Sequence, residues 1–177
     1  VNEKLPSWEQ ALNLLIENGC SNDVIIHCKR VAELAVETAE AIKKKGLTVD
    51  SKLVEVGALL HDIGRSKTHS VNHVIEGAKI ANGAGLPKPV VSIIKRHVGG
   101  GITKTEAQRL GWPVDDTYFP ITLEEKVVSF ADKLIEKGKR VPVKLTIEKL
   151  LREGRPEAAE RVRRLHEEMV GLIGGSK

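Results

Sequence analysis

A histidine and an aspartate stand side by side at His61-Asp62, after the apolar pair Leu59-Leu60 and before Ile63-Gly64-Arg65. A helix that ends on such a pair offers one imidazole nitrogen and two carboxylate oxygens at a single point. Matching donors lie elsewhere in the chain: His27 upstream, then His73, His97 and Asp132 downstream. Together these are six nitrogen or oxygen ligands on five separate segments, enough for one or two divalent ions.

Neighbouring residues on a helix point about 100° apart. His61 and Asp62 can therefore meet one ion only just beyond a helix end, or serve two ions if the carboxylate bridges. On this reading His27, His61, Asp62 and Asp132 supply one ion, and His73 and His97, sharing Asp62, supply a second. Mixed imidazole and carboxylate ligation suits Fe, Mn, Zn, Co or Ni better than Mg or Ca. Ions of this kind make water a nucleophile near neutral pH, and a pair of them clamps both oxygens of a phosphoryl displacement. Charge that develops in such a reaction calls for cationic help. Arg65 is expected to fork onto a phosphate, with His69, Lys95, Arg96 and Lys104 as further substrate contacts. Asp62, Arg65 and Lys104 are the residues assigned to catalysis, with Lys104 just beyond a flexible Gly99-Gly100-Gly101 loop. His166, on a highly charged C-terminal helix, reads as structural.

The elements that must position these residues are helical. The chain has 177 residues, 41% hydrophobic but only 3% aromatic, so its core must be built from Leu, Ile, Val and Ala. The apolar periodicity is helical almost throughout, with no sustained strand alternation. Ser7 with Gln10 forms a capping box for a first helix that stops at Gly19. Ser21 to Asp23 open a second helix to about Lys45, with the stripe Ile26, Val31, Leu34, Ala35, Thr38 and Ile42. Asp50 caps a third helix whose face of Leu53, Val56, Gly57 and Leu60 leads to His61-Asp62, with Gly64 as its end. His73 opens a fourth, lined by the small residues Gly77, Ala78, Ala81 and Ala84. Leu86-Pro87-Lys88-Pro89 reads as a turn before a short helix that delivers His97. Thr103 with Glu106 and Thr122 with Glu125 are two more capping boxes, the second opening the helix of Asp132. Pro156 divides a final amphipathic pair. The expected organisation is an N-terminal helix over 1–20, a central domain over 21–140 and a C-terminal helical extension over 141–177 packed on the same domain.

Charge and cysteine content narrow the function classes. The net charge of +4 is a mild basic bias that fits an anionic substrate but is weak for nucleic acid. Cys20 and Cys28 form no Cys-x-x-Cys pair and read as small buried apolar residues. No apolar run approaches the ~20 residues that span a bilayer. Val1-Asn2-Glu3-Lys4 lacks a signal-peptide pattern. A cytoplasmic setting is the expectation.

His27, Gly57-Ala58-Leu59-Leu60-His61-Asp62-Ile63-Gly64 and Ala131-Asp132-Lys133-Leu134 resemble, in order and context, the HD-domain superfamily of metal-dependent phosphohydrolases, in its HDIG-type subgroup. His73 with Glu76-Gly77-Ala78, and Ile94-Lys95-Arg96-His97, resemble the extra histidines of two-metal members, among them the bacterial HD-class diadenosine tetraphosphate hydrolases. Gly101-Ile102-Thr103-Lys104, Ala107 and Leu110-Gly111-Trp112-Pro113 resemble a small archaeal HD family. The resemblance implies an all-α, single-domain HD-type helical bundle with a central metal site, and cleavage of a phosphoester or phosphoanhydride. Arg65 stands where many relatives carry Lys, which keeps the charge but changes its geometry. His97 is followed by Val98 and no Gly-Tyr-Pro occurs, so two features of cyclic-dinucleotide phosphodiesterases are missing.

Three functions compete at this point. The first is a metal-dependent phosphohydrolase acting on a phosphorylated small molecule, a nucleotide above all. The second is an HD-fold di-iron oxygenase with the same ligand order. The third is a non-catalytic nucleotide sensor or RNA-binding module, for which no aromatic platform speaks. Oligomeric state is left open.

Overall fold

The computed structural model describes residues 4–174. Val1-Asn2-Glu3, the first three residues of the segment read above for a signal peptide, and residues 175–177 lie outside the described ones. The fold is all-α, with nine helices among the described residues and one minimal hairpin. The chain runs α1 (Trp8–Glu17), α2 (Asn22–Lys44), α3 (Ser51–Leu60), α4 (His73–Gly83), α5 (Lys88–Arg96), α6 (Lys104–Arg109) and α7 (Leu123–Asp132). The hairpin strands β1 (Ile135–Glu136) and β2 (Lys139–Arg140) follow, then α8 (Val143–Arg152) and α9 (Pro156–Ile173).

The helix starts follow local chemistry. Ser7, Thr103 and Thr122 each accept from the amide three residues on, while Gln10, Glu106 and Glu125 reach back to complete the boxes. Asp50 accepts from the Lys52 and Leu53 amides at 3.0 Å, and Ser21 caps α2. Pro89 falls in the first turn of α5, where a missing N–H is tolerated. The turn read at Leu86–Pro89 is thus shorter, with Lys88 already helical.

The core lies where α2, α3, α5 and α7 pack together. It is filled by Val31, Ala35, Ile42, Val56, Leu59, Leu60, Ile93, Ile94, Val127 and Val128, all sealed from solvent. Leu165 and Met169 of α9 join this same core. Leu150 of α8 packs with Ala158, Ala159 and Val162 of α9 in a second, smaller cluster.

Four further expectations need correction. Ile26 is not on the buried stripe of α2 but 41% exposed. Helix α3 ends at Leu60, with His61 as its C-cap, and a 3₁₀ turn over Ile63–Ser66 follows. Gly64 therefore ends nothing; it sits inside that turn because a Cβ there would overlap the His73 carbonyl oxygen and stand 2.5 Å from the Gly77 amide nitrogen. Ala84 is the exposed C-cap of α4, not part of its packed face. The three-glycine segment is not an open loop: all three glycines are buried, and a Cβ on Gly100 would stand 2.9 Å from the Arg161 carbonyl carbon of α9. The hairpin escaped notice because each strand is two residues long. Its Lys137-Gly138 loop has φ of 48° and 73°, the geometry of a tight primed turn.

Candidate metal centre

Five segments bring their donors to one point, four of them from helix ends. His61 is the C-cap of α3, His97 the C-cap of α5, and Asp132 the last residue of α7. His73 is the first residue of α4, and only His27 comes from within a helix. The C-termini of α3, α5 and α7 thus converge, and their partial negative charge favours a cation between them.

The donors fall into two groups around Asp62. Its Oδ2 lies 3.6 Å from His61 Nε2 and 3.8 Å from His27 Nε2. Asp132 Oδ1 completes that group, 3.0 Å from His27 Nε2 and 3.3 Å from His61 Nε2. The other oxygen, Asp62 Oδ1, lies 3.2 Å from His73 Nε2 and 3.4 Å from His97 Nε2. Those two imidazole nitrogens are 3.2 Å apart.

Three of the rings are oriented by one repeated device. His61 Nδ1 lies 2.6 Å from the Ala58 carbonyl, His73 Nδ1 2.7 Å from Ser70, and His97 Nδ1 2.8 Å from Ile94. A carbonyl only accepts, so each Nδ1 donates and the neutral ring keeps a lone pair on Nε2, aimed inward.

The electrostatics suit a cation. Burial opposes charge on Asp62, but His61, His73 and His97 hold its carboxyl well below the usual range. Asp132 is likewise held down against burial, by Lys133 and then by His27 and His61. Burial lowers His97 to about 4, which keeps it neutral. His61 is pushed down by burial but raised overall by Asp62 and Asp132, which attract positive charge to that spot. Ionised carboxylates and neutral imidazoles are what metal ligation needs.

A fit test comes from atoms left over. His61 Nε2 and Asp62 Oδ1 are buried and make no hydrogen bond. Such atoms cost about 1–3 kcal/mol each when unsatisfied. Both face the interior of the donor group, where a cation would satisfy them. Donor triads His27–His61–Asp62, His61–His97–Asp132 and Asp62–His73–His97 each lie within reach of a single ion.

Two adjoining clefts open onto the centre and share Arg65, His69, Asp132 and Lys149. One, of about 570 Å³, runs past His27, Asp62, Arg65 and Asp132 to Lys137 and Lys149. The other, of about 240 Å³, runs past His73, His97, Lys133 and Lys149 to Arg155. His69 is exposed and lines both clefts.

The expected phosphate contacts are scattered differently. Arg65 is at the centre, but its Nε donates to Asp62 Oδ2 at 2.7 Å and its Nη1 to the His69 carbonyl at 3.2 Å, so two arms of the fork are engaged within the protein. Lys95 pairs with Asp116. Arg96 bonds Glu125 at 2.8 Å and the Thr117 carbonyl at 3.1 Å. Both fasten the segment before α7 to α5 instead of facing the clefts, because they lie on the side of α5 turned towards that segment. Lys104 is exposed in the first turn of α6 and lines neither cleft, since the glycines before it are locked against α9 and Phe119. His166 lies half-buried with its ring beside Phe130, away from the centre.

Sequence reasoning missed Lys133, Lys149 and Arg155. Lys133 Nζ pairs with Asp132 and donates to the His97 carbonyl at 3.1 Å, tying the two donor groups together. Its position next to Asp132 was a usable signal. Lys149 and Arg155 had none, because only the docking of α8 and α9 brings them to the clefts. Cys20 and Cys28 are buried, as expected of small apolar residues; burial pushes both thiols up.

The HD domain family profile matches residues 24–136. An uncharacterised protein of Methanocaldococcus jannaschii, MJ0778, is 51% identical over 80% of this chain and 83% of its own length. A tRNA (cytidine(56)-2'-O)-methyltransferase of Thermoplasma volcanium is 41% identical over 96% of this chain, which spans only 48% of that longer protein. Among solved structures, the HD domain of the Listeria monocytogenes phosphodiesterase PgpH, in complex with cyclic-di-AMP, superposes with a TM-score of 0.55. At 18% identity it covers 94% of this chain and 98% of its own, a likeness of fold.

Proposed function

Because this chain belongs to the HD-domain family, we propose that it is a metal-dependent phosphohydrolase that cleaves a phosphoester or phosphoanhydride of a nucleotide or related small molecule. The observation that carries the reading is the division of Asp62. One carboxylate oxygen faces His27 and His61, which also meet Asp132, and the other faces His73 and His97. In this reading the first set would hold one transition-metal ion and the second set another, of the Fe, Mn, Zn, Co or Ni kind. Ions bound there lower the pKa of a water and stabilise charge on a phosphoryl group.

The protein's own residues do the remaining work. Arg65 holds the Asp62 carboxylate in place and keeps positive charge beside it. Lys133 fixes Asp132 relative to the His97 turn. Lys149, on the wall of both clefts, draws an anionic substrate towards the centre. The Listeria domain, whose ligand is cyclic-di-AMP, supports a nucleotide as the substrate class. A phosphodiester within RNA is the second reading, favoured by the Thermoplasma methyltransferase that carries a segment like this chain.

The test is a screen of purified protein reloaded with Mn, Fe, Co, Ni, Zn or Mg. Substrates are nucleoside phosphates, dinucleoside polyphosphates, cyclic dinucleotides and short single-stranded RNA. Metal-dependent hydrolysis of one class, lost in Asp62→Ala, is expected. Retained iron with oxygen uptake and no phosphate-ester cleavage would favour the di-iron oxygenase instead.

A further inference from the structure

Beyond the His73–His97 cleft lies a third cavity, of about 320 Å³, lined by Val71, Ile102, Glu106, Arg109, Leu110 and Arg155. It adjoins the metal-side cleft, and Val71 and Arg155 belong to the walls of both. We propose that this pocket receives the nucleoside end of the substrate, with Arg155 at the neck and the phosphate at the His73–His97 side of the centre. The proposal rests on the phosphohydrolase reading and adds to it which part of a nucleotide is recognised, and where.

Size and chemistry both fit. Small-molecule pockets begin at about 300 Å³ and are mostly apolar with a few polar groups. Here the floor is aliphatic and firmly backed. Val71 and Ile102 pack with Val74, Ala107, Trp112 and Tyr118, a cluster separate from the main core. Leu110 is 40% exposed, an apolar edge left for something to cover. Val71 lies two residues before His73, so a group seated on it is within one small molecule's length of the donors. A base has apolar faces and a polar rim, which matches aliphatic walls bordered by Arg109 and Glu106. A sugar phosphate would leave the walls bare.

Arg155 is built to stay at the neck. Its main chain is held at both ends, with its amide on the Leu150 carbonyl at 2.9 Å and its carbonyl accepting from Ala159 at 3.1 Å. Its side chain is 40% exposed and pairs only loosely with Glu153, at 3.8 Å. A guanidinium so placed can lie on the face of a base or fork onto the phosphate that follows it.

The experiment measures binding calorimetrically with Mn²⁺-loaded protein. The probes are methylene phosphonate analogues of the four nucleoside 5′-monophosphates and of ribose 5-phosphate, whose P–C bond resists hydrolysis. At least one nucleoside analogue should bind tenfold or more tighter than the ribose analogue. Leu110→Asp, which puts a carboxylate into the pocket from an exposed position, should bring that ratio close to one, while Leu110→Met preserves it. Circular dichroism and a thermal melt establish that both variants are folded. Equal affinity for base-bearing and base-free analogues in the native protein would overturn the pocket assignment and leave the hydrolase reading standing. So would a ratio that survives Leu110→Asp. Failure of every analogue to bind would overturn both.

Discussion

Each of the histidines at 61, 73 and 97 donates Nδ1–H to the carbonyl three residues earlier, so the main chain orients each ring without a dedicated partner side chain. Asp62 is oriented differently, by the Nε of Arg65 three residues on. That changes what Arg65 does in this account: it positions a ligand first and meets substrate second. Arg65→Lys keeps the charge but loses the fixed Nε donor, so turnover should fall about tenfold, or ~1.4 kcal/mol in the transition state. Arg65→Ala should cost more, with metal content by mass spectrometry unchanged. Undiminished turnover in Arg65→Ala would mean that the Arg65–Asp62 bond is dispensable for catalysis. That these six residues would converge was legible from their types and from the His61-Asp62 pair, and the structure brings them within reach of one another. The cations were not legible. Lys95 and Arg96 sit beside His97 in sequence, yet α5 turns them towards Asp116, Thr117 and Glu125. Adjacency along a helix does not tell which neighbour a long side chain will meet.

Among the elements, the contact between the 3₁₀ turn and α4 governs the second donor set. Gly64 and Gly77 let the two backbones touch, and the touching atom is the carbonyl of His73 itself. Gly64→Ala must therefore push α4 away. Overpacking at rigid backbone costs about 3 kcal/mol at the upper end of its usual range. Chemical denaturation should register that loss, and any folded fraction should bind metal less tightly at the His73 side. Stability within about 0.5 kcal/mol of native would mean that the turn yields freely. Helix starts were legible because capping residues act locally. The end of α3 was misplaced because Gly64 resembles a stop signal, while its actual role, close approach, depends on a helix further along the chain. The glycines at 99–101 misled in the same way: a run of three looks like freedom in sequence, and α9 at Gly100 and Phe119 at Gly101 remove it.

Over the whole molecule, α9 is part of the core and carries part of the site. Leu165 and Met169 are buried with the residues of α2 and α7, and the turn before α9 sets Arg155 over the second cleft. Met169→Ala should cost about 2–5 kcal/mol, as other large-to-small core changes do. A loss below about 0.5 kcal/mol would mean that the C-terminal helices are an appended arm. The all-α class could be read from helical periodicity and scarce aromatics, but the way α8 and α9 wrap the clefts depends on packing between distant segments. No described helix is long and apolar enough to cross a membrane. The central claim is that the donors on the two sides of Asp62 would hold two ions, and metal stoichiometry tests it most directly. Protein reloaded with Mn²⁺ or Fe²⁺ and freed of excess ion should hold two ions per chain, His73→Ala one, and His61→Ala fewer than the native protein with activity lost. One ion in the native protein, or two retained in His73→Ala, would contradict the account.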